Sequence, residues 1–234
     1  MEIKKSIIFN KISSAEGIID ISQFDELRKH SYTDGEGIGL IGFRSDDDVI
    51  ELRVLVRIPT YLDDYDQDSQ SVQKKIVYLY EIVVVCLDIK NNLIYSNASA
   101  AKFNRVKNFI KNYIGIAIAF QNIQFIPVEL LKWFDAEELH PSIVSMTIKN
   151  FKYNEDAIGR YSFKVFSQNV GESLLLQYGP EVRNLVLKVE PDYMSSFNVQ
   201  ASLQNTVSIK CEESDYWKIV ELIKKQISYG RSER

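Results

Sequence analysis

The chain has 234 residues and a mass of 27.0 kDa, and 45% of its residues are hydrophobic, which is enough to bury the core of one large domain or of two small ones. Its formal net charge of −4 and its pI near 5.4 argue against a uniformly basic nucleic-acid binder. No apolar run reaches the roughly 18 residues of a membrane helix, and the N-terminus lacks the apolar core of a secretory signal. We therefore expect a soluble, cytoplasmic protein.

The first part of the chain predicts a strand, a short helix and a β-hairpin. Residues 4–12 form the strand, and residues 23–29 form the helix, with Ser22 as its N-cap. Residues 37–43 and 49–58 are β-like on either side of a tight turn. Apolar and charged residues alternate in the second of these strands, which indicates a sheet with one exposed face.

An acidic run and a long apolar run come next. The run at 63–68 predicts a polar loop that extends from Pro59 to about Gln73. Residues 76–89 are so uniformly apolar and β-branched that we expect a central strand buried on both faces. A short strand at 93–95 follows.

Two amphipathic helices repeat one pattern. Residues 103–114 and 216–227 align without gaps, with apolar residues at matching positions. Each segment ends at a glycine, Gly115 or Gly230, the residue that most easily closes a helix. The repeat suggests two duplicated halves, although burial alone makes amphipathic helices resemble one another.

The region between the halves is less regular. Residues 115–126 are compatible with a continued helix, a bulged strand or two short strands, because their apolar pattern changes phase. Pro127 begins a helix over 128–134, and the pair His140 and Pro141 marks a boundary. We expect an N-terminal half at 1–140 and a C-terminal half at 141–234.

The C-terminal half predicts mainly strands. Its elements are a hairpin at 143–153 and 161–166, a helix at 171–178, a strand at 183–190, and a hairpin at 199–203 and 206–211, before the last helix, which Ser214 caps. The order of elements predicts an α+β fold, with mostly antiparallel sheets and a covering helix in each of the two halves.

The motifs that resemble cofactor or metal sites lack the context that their chemistry requires. The glycines of 37–42 match G-x-G-x-x-G, but a loop precedes them and a turn follows them, so a glycine-bearing edge strand that another backbone approaches closely is the better interpretation. The alternating carboxylates of 64–68 suggest a calcium loop, but Ser69 and Lys75 occupy the positions of the required glycine and glutamate. We predict neither a cofactor nor a metal site.

No catalytic constellation stands out either. Cys86 and Cys211 lie in apolar surroundings and are expected to be buried thiols. A magnesium-dependent nuclease could use Glu51, Asp88 and Glu190, which lie in or beside predicted strands, but exposed charges at strand ends are the simpler interpretation. We predict no catalytic residue.

Two surfaces are candidates for binding. The first interleaves positive charge with aromatic rings, which suits phosphate contacts beside stacked bases, although half-buried strands share this composition. Its residues are Lys149, Lys152, Tyr153, Arg160, Tyr161 and Lys164. The second is an apolar cluster that could bind a partner or pack in the core. Its residues are Leu130, Leu131, Trp133 and Phe134.

The sequence thus favours a non-enzymatic binding or scaffold protein that acts through a macromolecular partner, with a protein favoured over nucleic acid. A nucleic-acid-binding subunit is the second hypothesis and a magnesium-dependent nuclease is the third. Nothing in the pattern predicts an oligomeric state.

Overall fold

The computed structural model describes residues 1–15, 17–154, 157–202 and 205–229. The chain has a mixed α+β fold dominated by antiparallel strands. Its contacts define two compact units: an N-terminal unit, Asn10–Gln121, and a C-terminal unit made of Met1–Phe9 and Asn122–Arg234. The division into halves at residue 140 stays a prediction, and the structure does not show a duplication.

The N-terminal unit contains consecutive antiparallel strands, a 3-10 helix and one α-helix. Its sheet runs in the order β2, β3, β4, β5 and then the second part of β1, with β6 also pairing β1. The elements are β1 (Glu2–Ser14), the 3-10 helix (Ile21–Lys29), β2 (Ile38–Asp46), β3 (Val49–Asp66), β4 (Ser71–Asp88), β5 (Leu93–Ser96), α1 (Ala100–Tyr113) and β6 (Ile118–Asn122).

Apolar side chains from the sheet and from α1 form the core of this unit. The alternate residues Ile50, Leu52, Val54 and Val56 of β3 are fully buried, because successive side chains of a strand point to opposite faces. Helix α1 buries the apolar row that the sequence predicts; its buried residues are Phe103, Val106, Phe109 and Ile110. The expected one-sided hairpin and the amphipathic helix are therefore confirmed.

Two local predictions need correction or refinement. The 3-10 helix is capped by Asp20, whose carboxylate accepts from the amide of Ser22, and Gln23 completes the capping box. Ser22 is therefore not the N-cap. Residues 115–126 contain a single short strand, β6, and neither a continued helix nor two strands.

The C-terminal unit contains antiparallel strands and helices. Its strands run in the order β11, β10, β9, β7 and β8, and the first part of β1 pairs with β11. The elements are α2 (Pro127–Ala136), β7 (Pro141–Asn154), β8 (Ala157–Lys164), α3 (Gln168–Tyr178), β9 (Val182–Val189), β10 (Phe197–Ser202), β11 (Thr206–Glu212) and α4 (Tyr216–Tyr229).

Helix α4 buries the predicted row of Tyr216, Ile219, Val220, Ile223 and Ile227. A short 3-10 turn leads into this helix, and Gly230, which was expected to end it, lies outside the described residues. In the part of the chain that the structure describes, no helix is both long and apolar enough to cross a lipid bilayer.

The largest error of the sequence interpretation concerns β3 and β4. The expected polar loop from Pro59 to Gln73 is instead the outer part of a long hairpin, which turns at 67–70. Strand β4 is also not buried on both faces throughout, since most side chains between 71 and 82 are exposed. Three of the four aspartates of the acidic run, Asp63, Asp64 and Asp66, therefore occupy strand positions, and Asp68 lies in the turn.

Candidate partner-binding surface

The outer part of the β3–β4 hairpin is a two-stranded ribbon. Pairing of β2 with β3 ends at the pair Ile38 and Val56, and β5 pairs with β4 only over 86–88. Beyond these limits, residues 57–66 pair in regular register with residues 71–80, and within the described residues no other strand pairs with either segment. These two segments and their turn, here called the ribbon, extend for roughly 30 Å at the usual rise of a strand.

One face of the hairpin carries exposed apolar and aromatic side chains, which only the charged pair Asp63 and Lys74 interrupts. Because directly opposite residues of an antiparallel pair share a face, the odd positions of β3 and the even positions of β4 lie together. Seven of these side chains are between 48% and 66% exposed, and we call them the tyrosine face. They are Tyr61, Tyr65, Val72, Ile76, Tyr78, Tyr80 and Ile82.

The base of the tyrosine face is held in place by neighbouring elements. The Arg57 guanidinium lies 4.5 Å from the ring centroid of Tyr78, and Tyr32 contacts Tyr80 edge-to-face with 6.2 Å between centroids. Partial burial and a hydrogen bond to Asp34 raise the pKa of Tyr32 to about 12, so this phenol stays neutral at physiological pH. Lys102 of α1 forms an ion pair with Glu81 of β4.

The acidic tip of the ribbon is a hydrogen-bonded turn. The Asp66 carboxylate accepts from the backbone amides of Asp68 (2.9 Å) and Ser69 (3.2 Å) and from the Gln73 side chain (2.8 Å). The amide hydrogen bonds from Ser69 and Asp68 lower the pKa of Asp66 below its ordinary value. This carboxylate therefore stabilises the turn, which explains why an acidic sequence can form the end of a hairpin.

The two edges of the ribbon differ in what they offer to another strand. The amide of Arg57 on β3 donates to the Gly37 carbonyl (2.8 Å), so the amide and carbonyl of Arg57 point away from β4. Tyr80 lies directly opposite Arg57 on β4, and its amide and carbonyl therefore point away from β3. The carbonyl of Val84, four residues further along β4, also points away from β3, because it accepts a hydrogen bond from the Ser96 hydroxyl at 2.6 Å. Every second residue of β4, from Val72 to Ile82, thus directs its amide and carbonyl to the free edge.

The β3 edge is less suited to pairing. Its outward positions include Pro59, which has no amide to donate, and the charged Asp63. Proline and charge are the features that protect edge strands from unwanted pairing. The β4 edge also carries a charge at an outward position, Lys74, but it contains no proline and is the more open of the two.

The predicted nucleic-acid residues lie on the β7–β8 hairpin, and all six are exposed. They do not share one face, because Arg160 and Lys164 alternate with Tyr161 along β8. Tyr161 packs against Phe151, with 5.3 Å between ring centroids. Their nucleic-acid role stays a prediction.

The apolar cluster of α2 is largely part of the core. Leu130 and Phe134 are buried, and Phe134 contacts Phe197 edge-to-face with 6.3 Å between centroids. Leu131 and Trp133 are half-buried. Only these two residues of the predicted cluster present surface to a partner.

The carboxylates proposed for a nuclease do not converge. Asp88 is buried and accepts from the backbone and side chain of Asn91 (3.0 to 3.1 Å), while Glu190 pairs with Lys188 at 2.6 Å. Among the residues that the structure describes, no group of three or more His, Cys, Asp or Glu side chains could hold a metal ion.

The remaining motifs have structural roles. The G-x-G-x-x-G glycines lie at the start of and within β2, where a Cβ on Gly39 would come within 2.2 Å of the Tyr32 backbone, so the predicted close approach is confirmed. Cys86 and Cys211 are both buried and, among the described residues, form no disulfide. Burial raises the pKa of the Cys211 thiol, which disfavours a reactive thiolate.

Comparison with known proteins adds no assignment: no protein-family model matches the chain, and no curated protein sequence matches it. The ribbon was missed by sequence reasoning because its acidic tip has loop-like composition. The sequence carried no strand signal at the tip, because Tyr61, Asp63 and Tyr65 stand at positions of the same parity and residues 61–66 show no period-two pattern.

Proposed function

We propose that this chain is a cytoplasmic, non-enzymatic binding protein that acts through a protein partner, and that the ribbon is its contact surface. The tyrosine face is the observation that carries this proposal. It is an exposed, largely apolar surface, interrupted by the charged pair Asp63 and Lys74, on an element that makes no contribution to the core at its outer end.

Elementary energetics support a contact role. An isolated two-stranded hairpin is at best marginally stable in water, and soluble proteins rarely expose contiguous apolar patches without a binding role. Tyrosine suits such a surface because its ring provides apolar area while its hydroxyl keeps a hydrogen-bonding group at the boundary with water. A partner that covers the face would bury rings that the fold leaves in solvent.

The charge of the ribbon favours a protein over nucleic acid at this surface. The tip and its neighbouring positions hold Asp63, Asp64, Asp66 and Asp68, whereas the nearby positive charges are Lys74 and Lys75. Phosphate groups would meet a predominantly negative tip, and affinity for nucleic acid depends on positive charge.

A pair of matched variants tests the proposal. Tyr61→Ser/Tyr65→Ser changes two exposed tyrosines of the ribbon, and Phe166→Ser/Tyr193→Ser changes two exposed aromatic residues elsewhere. Each protein is isolated gently from its own cells, and circular dichroism melts establish that both variants are folded.

We expect a protein that co-purifies with the wild type and the control to be lost from the ribbon variant. Retention of that protein by the ribbon variant, or recovery of the wild-type chain alone and as a monomer, would contradict the proposal.

Nucleic-acid binding through the β7–β8 hairpin is a second candidate, favoured by the joint exposure of its basic residues. The variant Lys152→Gln/Arg160→Gln/Lys164→Gln should reduce the dependence of log affinity on log salt by roughly three, one for each lost phosphate contact, whereas Lys132→Gln on α2 should leave it unchanged. Absence of binding by the wild type at low salt removes this candidate.

A further inference from the structure

We propose that the protein bound at the ribbon is a second copy of this chain, joined by antiparallel pairing of the two β4 edges about a two-fold axis at Tyr78. This inference rests on the proposed function and specifies its partner. It follows from the direction of the backbone groups and from the order of charges along β4.

The backbone of β4 is suited to accept a strand. The outward amides and carbonyls belong to alternate residues, which include Ile76, Tyr78 and Tyr80. In an antiparallel ladder every second pair of directly opposite residues exchanges both backbone hydrogen bonds, so an outward residue must face an outward residue of the partner. A two-fold axis centred on a residue of β4 satisfies this condition, and no proline interrupts the edge.

Charge selects one register among those that this condition allows. The charged residues between 71 and 85 are Lys74, Lys75 and Glu81. Only an axis at Tyr78 places Lys75 directly opposite the partner's Glu81, and the symmetry forms this pair twice. An axis at Lys74 or Lys75 would place like charges against each other, which destabilises a cross-strand pair.

The same register matches the apolar side chains on both faces. On the tyrosine face, Tyr78 meets the partner's Tyr78, and Ile76 meets the partner's Tyr80. On the opposite face, Val77 meets the partner's Leu79. Aromatic pairs and pairs of an aromatic with a β-branched residue are among the favourable cross-strand combinations. The result is an apolar strip across the joint on each face, and the Lys75–Glu81 pairs end the strip on the face opposite the tyrosines.

Charge reversal provides the first test, measured by sedimentation velocity over a concentration series. The wild type is expected to form a dimer. Position 75 faces the partner's position 81 twice in the symmetric dimer, so Lys75→Glu and Glu81→Lys each place like charges opposite one another in both pairs. Each variant should weaken self-association roughly tenfold or more. Lys75→Glu is the cleaner change, because Glu81 also pairs with Lys102 within its own chain.

Mixing the two variants gives the matched control. A Lys75→Glu chain beside a Glu81→Lys chain restores opposite charges at both ends, so the mixture should form a heterodimer of nearly wild-type affinity. A mixture that associates no better than its components overturns the register.

Disulfide trapping tests the register independently of charge. Val77 and the partner's Leu79 would form a non-hydrogen-bonded pair with Cα atoms about 4.5 Å apart, a distance compatible with a disulfide. A mixture of Val77→Cys and Leu79→Cys chains should cross-link under mild oxidation, whereas neither variant should cross-link by itself. Efficient linking of Val77→Cys alone would overturn the axis at Tyr78.

The outcomes separate this inference from the proposed function. A wild-type chain that is monomeric at every concentration overturns self-pairing. If the ribbon tyrosines still determine co-purification of a different protein, the proposed function stands and its partner is that protein. If neither behaviour is found, both proposals fail.

Discussion

The inner and outer parts of the β3–β4 hairpin have the same register but opposite surroundings. The inner part, residues 49–56 with 81–88, pairs with β2 on one edge and with β5 over 86–88, and its alternate side chains are buried. The outer part continues the ladder without a bulge, yet its apolar side chains are exposed. Local pairing thus forms the strands, whereas neighbouring elements decide which residues become core.

Two leucines on the same face of β3 provide the largest expected difference. Leu52 is 0% exposed and Leu62 is 52% exposed. Leu52→Ala should lower the free energy of unfolding by about 2 to 5 kcal/mol because it leaves a cavity, and Leu62→Ala should change it by less than about 0.5 kcal/mol. Urea unfolding of the two variants measures both values, and equal losses would contradict the division of the hairpin.

The strand that covers the inner part gives the next effect. Gly39 of β2 has no room for a Cβ beside the Tyr32 backbone, so Gly39→Ala should destabilise the protein by about 1 to 3 kcal/mol through overpacking. Gly35→Ala is the matched control, since a Cβ there meets no atom within 4 Å. Thermal unfolding of both variants compares them, and a neutral Gly39→Ala would refute the close approach.

The smallest effect concerns the turn of the ribbon and depends on pH. The folded-state pKa of Asp66 is lowered, so its stabilisation is present above the unfolded value near 3.8 and is lost as pH falls through the lower folded value. We expect the amides of Asp68 and Ser69 to lose protection from hydrogen exchange over that acidic range. Asp66→Asn should lack this pH dependence, and an unchanged dependence in the variant would assign it to another group.

The sequence predicted the elements whose patterns are local. Alternation identified the inner hairpin, and helical spacing identified the buried rows of α1 and α4. These predictions succeed because a strand or helix with one buried face has a fixed period.

The errors arise where distant neighbours decide the outcome. The apolar run of β4 was expected to be buried on both faces, but pairing with β5 begins only at Cys86, so the residues before Val83 are largely exposed. The acidic run was expected to be a loop, but cross-strand pairing and the Asp66 hydrogen bonds hold it in a hairpin. The α2 cluster shows the same limit, because packing against Phe197 places Phe134 in the core.

The candidate surface could not be predicted as a unit, because pairing between two separate segments of the chain creates it. Its two segments are separated by the turn, and only the register brings Tyr61 opposite Ile76 and Tyr65 opposite Val72. A sequence pattern gives the face of each strand but not the pairing between them.

Photo-crosslinking at two equally exposed tyrosines tests most directly whether the ribbon is a contact surface. Tyr61 on the ribbon is 63% exposed and Tyr193 is 64% exposed, so a photoreactive phenylalanine at either position samples the solvent equally. In living cells we predict one defined protein adduct at position 61 and none at position 193. Absence of an adduct at position 61, or the same adducts at both positions, would contradict the account.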